Sequence, residues 1–160
     1  MENKTIQTQF SIFDTIDDLL ENDLHLMKAA KQALNNAYAP YSQFNVGAAV
    51  LLENGIIVTG NNQENAAYPS GICAERVAIW SASSQYPGMV IKKIAISVKS
   101  NLKQVSSPVS PCGACRQTLL EYEVNQKEPI EVFFTGEIGK VIKASSLKDL
   151  LPFAFDQSFL

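Results

Sequence analysis

Three cysteines and one glutamate are the residues in this sequence whose types and spacing could do chemistry. They fall in two clusters, Cys73-Ala74-Glu75 and Pro111-Cys112-Gly113-Ala114-Cys115. Each cluster lies where a helix is expected to begin. Cys73 precedes Ala74, Val77, Ala78 and Trp80 at helical spacing, and Cys112 follows a proline and precedes Leu119 and Leu120. Residues three apart share a helix face, so Cys112 and Cys115 can converge on one point. The free N–H groups and positive dipole of a helix N-terminus lower a thiol's pKa and stabilise the thiolate. Two such ends brought together would assemble three thiolates, a ligand set for a soft divalent ion, most often zinc.

The ligand count bears on what such a site does. Structural zinc sites are normally closed by four protein ligands, whereas catalytic ones keep three and leave a position open. The one histidine, His25, lies in an earlier helical pattern far from both clusters and reads as a helix-surface residue. Three cysteines without an obvious fourth ligand lean towards an open site. Glu75 would then stand near the metal without binding it, able to take a proton from bound water and pass it to a substrate nitrogen. Alone, Glu75 would read as an ordinary first-turn acid; joined to both cysteine clusters it completes a C-x-E…P-C-x-x-C pattern, the zinc deaminase signature. The remaining alternative is a structural zinc module closed by Glu75 or His25.

The elements that must position these residues follow from periodicity. Thr5–Phe13 alternates as a short strand, with Ile6, Phe10 and Ile12 on one side. Asp14 is a plausible helix cap, and the five acidic residues from Asp14 to Asp23 read as a solvated helix start rather than a cation site. A helical pattern through Leu24, Met27 and Leu34 runs to about Ala37, and Pro40 stops it. Phe44–Leu52 and Ile56–Thr59 flank Asn54-Gly55, a strong hairpin signal. Strands are expected at Lys92–Lys99, Ile130–Phe134 and Lys140–Ile142, and a last short helix from Ser146 to Pro152. Helices alternating with strands predict an α/β fold, a three-layer α/β/α sandwich around a mixed sheet of about five strands.

Composition narrows the function classes. A chain of 160 residues with 46% hydrophobic and 18% charged residues is an ordinary globular domain. Its longest apolar run, Val46–Leu52, is far too short for a membrane span, and the first residues carry no export-signal pattern. The expected location is therefore cytoplasmic, where thiols stay reduced, and an odd cysteine count excludes complete internal pairing. A net charge of −3 and only two arginines argue against a nucleic-acid partner.

Taken together, the motifs resemble the short, homotetrameric cytidine deaminases of pyrimidine salvage. The resemblance is carried by Ala39-Pro40-Tyr41-Ser42-x-Phe44-x-Val46-Gly47-Ala48-Ala49, Gly60-x-Asn62-x-Glu64-Asn65-Ala66, Cys73-Ala74-Glu75-Arg76, Pro111-Cys112-Gly113-Ala114-Cys115-Arg116-Gln117 and Leu150-Leu151-Pro152. It spans roughly residues 22 to 156, leaving residues 1–21 as an N-terminal extension, read as an appended sheet edge or a subunit contact. The resemblance implies one Zn²⁺ per subunit on Cys73, Cys112 and Cys115, with water or hydroxide completing the site. Glu75 would activate that water, protonate N3 of the cytosine ring and then the departing amine, so that cytidine or 2′-deoxycytidine yields the uracil nucleoside and ammonia. Asn62 and Glu64 would hold the ribose 3′-hydroxyl, Phe44 would pack against the base and the backbone of Ala74 would read its polar edge. Ala66, Tyr68 and Phe155 would reach a neighbouring subunit's site, and Arg76 would donate hydrogen bonds to the thiolates.

On spacing alone, Asn62 and Glu64 read equally as a polar turn, and Phe44 as core. Asn61 replaces a cysteine common in relatives, and Asp156 stands where the family tends to have glycine. A relative acting on another aminopyrimidine, such as the antibiotic blasticidin S, would share the zinc motifs without the Asn-x-Glu pair.

Overall fold

A computed structural model describes all 160 residues. The strands are β1 (Phe10–Phe13), β2 (Phe44–Leu52), β3 (Ile57–Asn61), β4 (Ile91–Ser100), β5 (Glu131–Thr135) and β6 (Val141–Ala144). The helices are α1 (Glu21–Ala33), α2 (Ala74–Gln85), α3 (Gly113–Gln126) and the single turn α4 (Leu147–Leu150). The strands form one sheet in the order β1-β6-β5-β4-β2-β3. Only the β4–β5 pair is parallel, so the sheet is mixed, as expected.

Strand alternation builds two cores. Ala48, Val50 and Leu52 of β2, Ile94 and Ile96 of β4, and Val132 and Phe134 of β5 face one way and pack under α2, α3 and α4. Their neighbours Ala49, Ala95 and Phe133 face the other way, towards Leu26, Met27 and Ala30 of α1. The result is a three-layer sandwich. The sheet has six strands rather than about five, because the N-terminal extension contributes β1. That strand is shorter than the Thr5–Phe13 alternation suggested: its partner β6 offers only Val141–Ala144, and Phe10–Phe13 occupies all four positions.

Downstream of β1, the first cap is Thr15 rather than Asp14. Its hydroxyl accepts from the Asp17 amide at 3.2 Å, and Asp18 accepts from the Thr15 amide at 2.9 Å. This capping box closes a short 3-10 turn, Ile16–Asp18, and the chain re-extends at Leu19–Leu20 before α1 begins. The hairpin falls where Asn54-Gly55 indicated, with Gly55 at φ +85 and its amide donating to Leu52 O at 3.0 Å.

The metal-side helix layer sits unusually close to the sheet. A methyl group on Gly60 of β3 would lie 2.4 Å from Ala78 N and 2.7 Å from Ala74 O, so α2 rests directly on the strand backbone. On the opposite face, Gly47 of β2 lets α1 approach equally closely, a Cβ there meeting Ala30 O at 2.1 Å. In the same layer as α2, Glu123 of α3, 4% exposed, accepts from the Ile130 amide at 2.8 Å and the Leu147 amide at 2.9 Å. It thereby ties α3 to the start of β5 and to α4.

Gly60→Ala is expected to lower stability by about 3 kcal/mol through overpacking of α2 against β3. Gly113→Ala, where nothing lies within 4 Å of the added methyl, should change it by less than about 1 kcal/mol. Chemical denaturation of the two variants checks the contrast.

Candidate active site

Both cysteine clusters stand at helix N-termini, as their spacing suggested. Cys73 is the N-cap of α2 and Cys112 the N-cap of α3, each in extended backbone conformation and neither making a side-chain cap hydrogen bond. Their sulfurs are therefore left free to converge. Cys115, one turn into α3, is fully buried. The sulfurs of Cys73, Cys112 and Cys115 lie within 4.8 Å of one another.

This arrangement fits a metal ion. A tetrahedral zinc with bonds of about 2.3 Å holds its sulfurs about 3.8 Å apart, a modest contraction of the observed cluster. No fourth His, Cys, Asp or Glu belongs to the group. His25 is exposed on α1, in the layer on the other side of the sheet. That removes His25 from consideration as a closing ligand.

Charge is already managed within the cluster. A hydrogen bond with Cys115, reinforced by the Arg76 guanidinium and opposed by burial, lowers the Cys73 thiol to about 5. The same hydrogen bond, burial and the negative charge of Glu75 push Cys115 up. Arg76 Nη2 donates to Cys73 Sγ at 3.5 Å, and its guanidinium lies 5.9 Å from the Trp80 ring centroid. Its buried Nε has no acceptor within the chain, a spare donor beside a site that gathers three thiolates. Glu75 is 5% exposed, and burial, with the Cys73 charge, raises its pKa above the ordinary carboxylate value.

The cluster opens into a cavity of about 640 Å³, the largest described. Its walls include Cys73, Cys112, Glu75, Arg76, Asn62, Glu64 and Tyr68. Asn62 is also a strut: its Oδ1 accepts from the Val46 amide at 2.8 Å and its Nδ2 donates to Phe44 O at 2.9 Å, leaving one N–H to spare. Glu64 Oε2 accepts from the Tyr41 amide at 2.9 Å and the Ser42 amide at 3.2 Å. A hydrogen bond with the Ser42 side chain, opposed by burial and helped by the Tyr41 and Ser42 amides, lowers the Glu64 pKa and favours the ionised carboxylate.

Other expected residues stand elsewhere in the single chain. Phe44, half-buried at the start of β2, does not line the cavity, and nor do the exposed Ala66 and Phe155. Phe155 stacks instead on Phe159, ring centroids 5.7 Å apart. Ala74 is buried beneath the first turn of α2, whose leading N–H groups have no intrahelical partner. Tyr68 lines its own chain's cavity, its ring edge-on to Tyr41 at 6.1 Å, although 77% exposed. Tyr41, Ser42, Val109 and Ser110 also line the wall and had not been assigned roles. Tyr41 and Ser42 lie inside a motif already singled out, whereas Val109 and Ser110 carry no local signal beyond their nearness to Pro111.

Residues 20–127 match the profile of the family described as the cytidine and deoxycytidylate deaminase zinc-binding region. The chain belongs to that family of deaminases. It is 41% identical over 135 residues to a cytidine deaminase of Sporosarcina psychrophila, covering 84% of this chain and 92% of that one. It is 40% identical over 130 residues to a cytidine deaminase of Halalkalibacterium halodurans, with 81% and 91% covered. Among solved structures it resembles the cytidine deaminase of Burkholderia pseudomallei, with a TM-score of 0.71, 42% identity, and 82% and 97% of the two chains covered. For a zinc-binding deaminase the donor set and the buried Glu75 are coherent parts of one site.

Arg76→Ala is expected to weaken zinc retention by about 10- to 100-fold, the usual consequence of removing an outer-shell donor. An exposed Lys28→Ala should leave retention unchanged. Zinc content after dialysis against a graded chelator series measures both.

Proposed function

We propose that this deaminase hydrolyses cytidine and 2′-deoxycytidine to the corresponding uracil nucleosides and ammonia, in pyrimidine salvage. The observation that carries the reading is a buried Glu75 beside three convergent thiols, opening into one nucleoside-sized cavity. Its volume lies within the roughly 300–1,000 Å³ of small-molecule sites.

Cys73, Cys112 and Cys115 would hold one Zn²⁺ per subunit. When bound, zinc supplies Lewis acidity and lowers the pKa of water in the open position. The proton traffic belongs to Glu75, whose raised pKa suits a group that must both take and give a proton near neutrality. It accepts a proton from the attacking water and delivers it to N3 of the ring. As the C4–N bond breaks, it passes the water's remaining proton to the leaving amine. Water supplies the new oxygen at C4, and the products are the uracil nucleoside and ammonia.

Substrate placement follows from donors and acceptors still free. Glu64 Oε1 can accept from a ribose hydroxyl while Oε2 is held by Tyr41 and Ser42, and the spare N–H of Asn62 can donate to the same hydroxyl. This polar pair favours a sugar-bearing substrate over a differently substituted aminopyrimidine. The free amide of Ala74 can read the base's polar edge, with Phe44 packing nearby after modest rearrangement.

Exposed apolar side chains support a homotetramer with shared sites. Tyr68, Phe153 and Phe155 are 77%, 84% and 58% exposed in the single chain, a large apolar area for a monomer to leave in water. Ala66, Tyr68 and Phe155 would complete a neighbour's pocket there. A cytoplasmic, nucleoside-using enzyme without nucleic-acid or membrane partners is consistent with the charge balance, and no helix is long and apolar enough to cross a membrane.

An ultraviolet assay should show loss of the aminopyrimidine chromophore with cytidine and 2′-deoxycytidine, and much slower loss with free cytosine. No loss with either nucleoside by zinc-loaded protein would overturn the proposal. Glu75→Gln should retain zinc and fold while turnover falls by about a thousandfold. Loss of metal and stability together would instead indicate a structural zinc module.

A further inference from the structure

Cys112 is the most exposed of the three cysteines, so burial does not hold it in place. It is also the only one of them preceded directly by a loop that ends in proline. What fixes its sulfur relative to the other two is the extended run Ser110-Pro111 that feeds into α3. The geometry points to Arg116 as the residue that positions this run, and through it Cys112, for the metal. The inference rests on the reading of the three cysteines as a zinc site.

Arg116 sits one turn after Cys112 and directs its side chain back past the start of the helix, as helical side chains do. Its Nε donates to Pro111 O at 2.8 Å and its Nη2 to Ser110 Oγ at 2.8 Å. Its Nη1 donates to Leu150 O at 3.0 Å, at the end of α4. Pro111 O and Cys112 N belong to one planar peptide unit, so holding the carbonyl sets the plane from which the Cys112 side chain departs. The Arg116 amide also donates to Cys112 O at 2.9 Å, fixing the peptide on the other side. This last is the ordinary helical bond that any residue at 116 would make, so the side chain's own hold on Cys112 is through Pro111 and Ser110.

The two arginines divide the work. Arg76 donates directly to a sulfur, whereas all three side-chain partners of Arg116 are oxygens. Lysine cannot replace it, because one ammonium cannot meet three acceptors spread across a planar fork. The third partner matters because Leu150 belongs to a different element, which anchors the loop to the body of the sandwich. Gln117 extends the link, its Nε2 donating to Phe155 O at 2.7 Å. The metal-side end of α3 and the C-terminal segment are thereby joined.

The test uses the zinc-loaded full-length protein and its Arg116→Lys and Ser110→Ala variants, with zinc release into a chromophoric chelator followed well below the melting temperature. Arg116→Lys should release zinc about tenfold faster or more. Its cobalt-substituted form should show altered thiolate charge-transfer and d–d bands. Ser110→Ala, which removes one acceptor and no charge, should shift both readouts in the same direction by less, and it decides the matter if Arg116→Lys does not fold. Wild-type release and an unchanged cobalt spectrum in a folded variant, even with a lower melting temperature, would overturn the positioning role. Wild-type protein that takes up no zinc would overturn the zinc-site reading itself, a result distinguishable from the former.

Discussion

Three sulfurs within 4.8 Å must be delivered by two helices whose starts are separated by a strand and a long loop. Neither helix start carries a side-chain cap that would hold it independently of its packing. The convergence is therefore a property of the layer, and everything beneath that layer serves it. α2 is located by contact with the β3 backbone at Gly60, and α3 by the buried Glu123 carboxylate that accepts from two different elements. The hydrogen bond between Cys73 and Cys115 favours the thiolate at the first and the proton at the second. Metal binding must expel such protons, so affinity, proton release and folding are linked at this site.

The cavity wall depends on the same packing. Asn62 follows directly after β3 and is pinned to β2 through Val46 and Phe44, so the loop leaving the sheet cannot swing away from the cysteines. Two residues later, Glu64 gathers the Tyr41 and Ser42 amides, drawing the segment after α1 onto the same wall. Gln43 accepts φ 53 to make that approach, an uncommon conformation for a residue with a side chain. Polar residues that could have formed a plain surface turn are therefore structural first. Only their remaining donors and acceptors are open to a ligand.

Much of this was legible in the residues, for reasons that can be named. Asn54-Gly55 marks the hairpin because few other pairs tolerate the backbone it needs. Proline and the helical spacing of Leu119 and Leu120 place Cys112 at a helix start, and strand alternation foretells the two faces of the sheet. What escaped was set by distant partners. The leading strand contracts to Phe10–Phe13 because β6 is short, and Thr15 displaces Asp14 as the cap because Asp18 can reach back to it. Glu123 looks like an ordinary helix residue, and Arg116 shows only its place in the cysteine motif, until Leu150, Ile130 and Leu147 are folded against them. The positions of Phe44 and Phe155 were assigned through resemblance alone, and a single chain leaves both outside the cavity.

Charge balance accounts for the place of Arg76 beside the cysteines. A divalent ion on three thiolates carries a net charge of −1, which by itself would make bound water less acidic than at a site with neutral ligands. Arg76, donating to Cys73 from the cavity wall, would offset that charge at the sulfur. Glu75 sits buried beside the cluster. Its proton affinity is raised mainly by loss of solvent, with a smaller contribution from the thiolate. A carboxyl perturbed by burial keeps a raised proton affinity while charge moves during turnover, whereas one perturbed chiefly by a neighbouring anion would change affinity whenever that anion was neutralised. Burial is thus the sturdier way to poise a group that would accept and donate protons within one cycle.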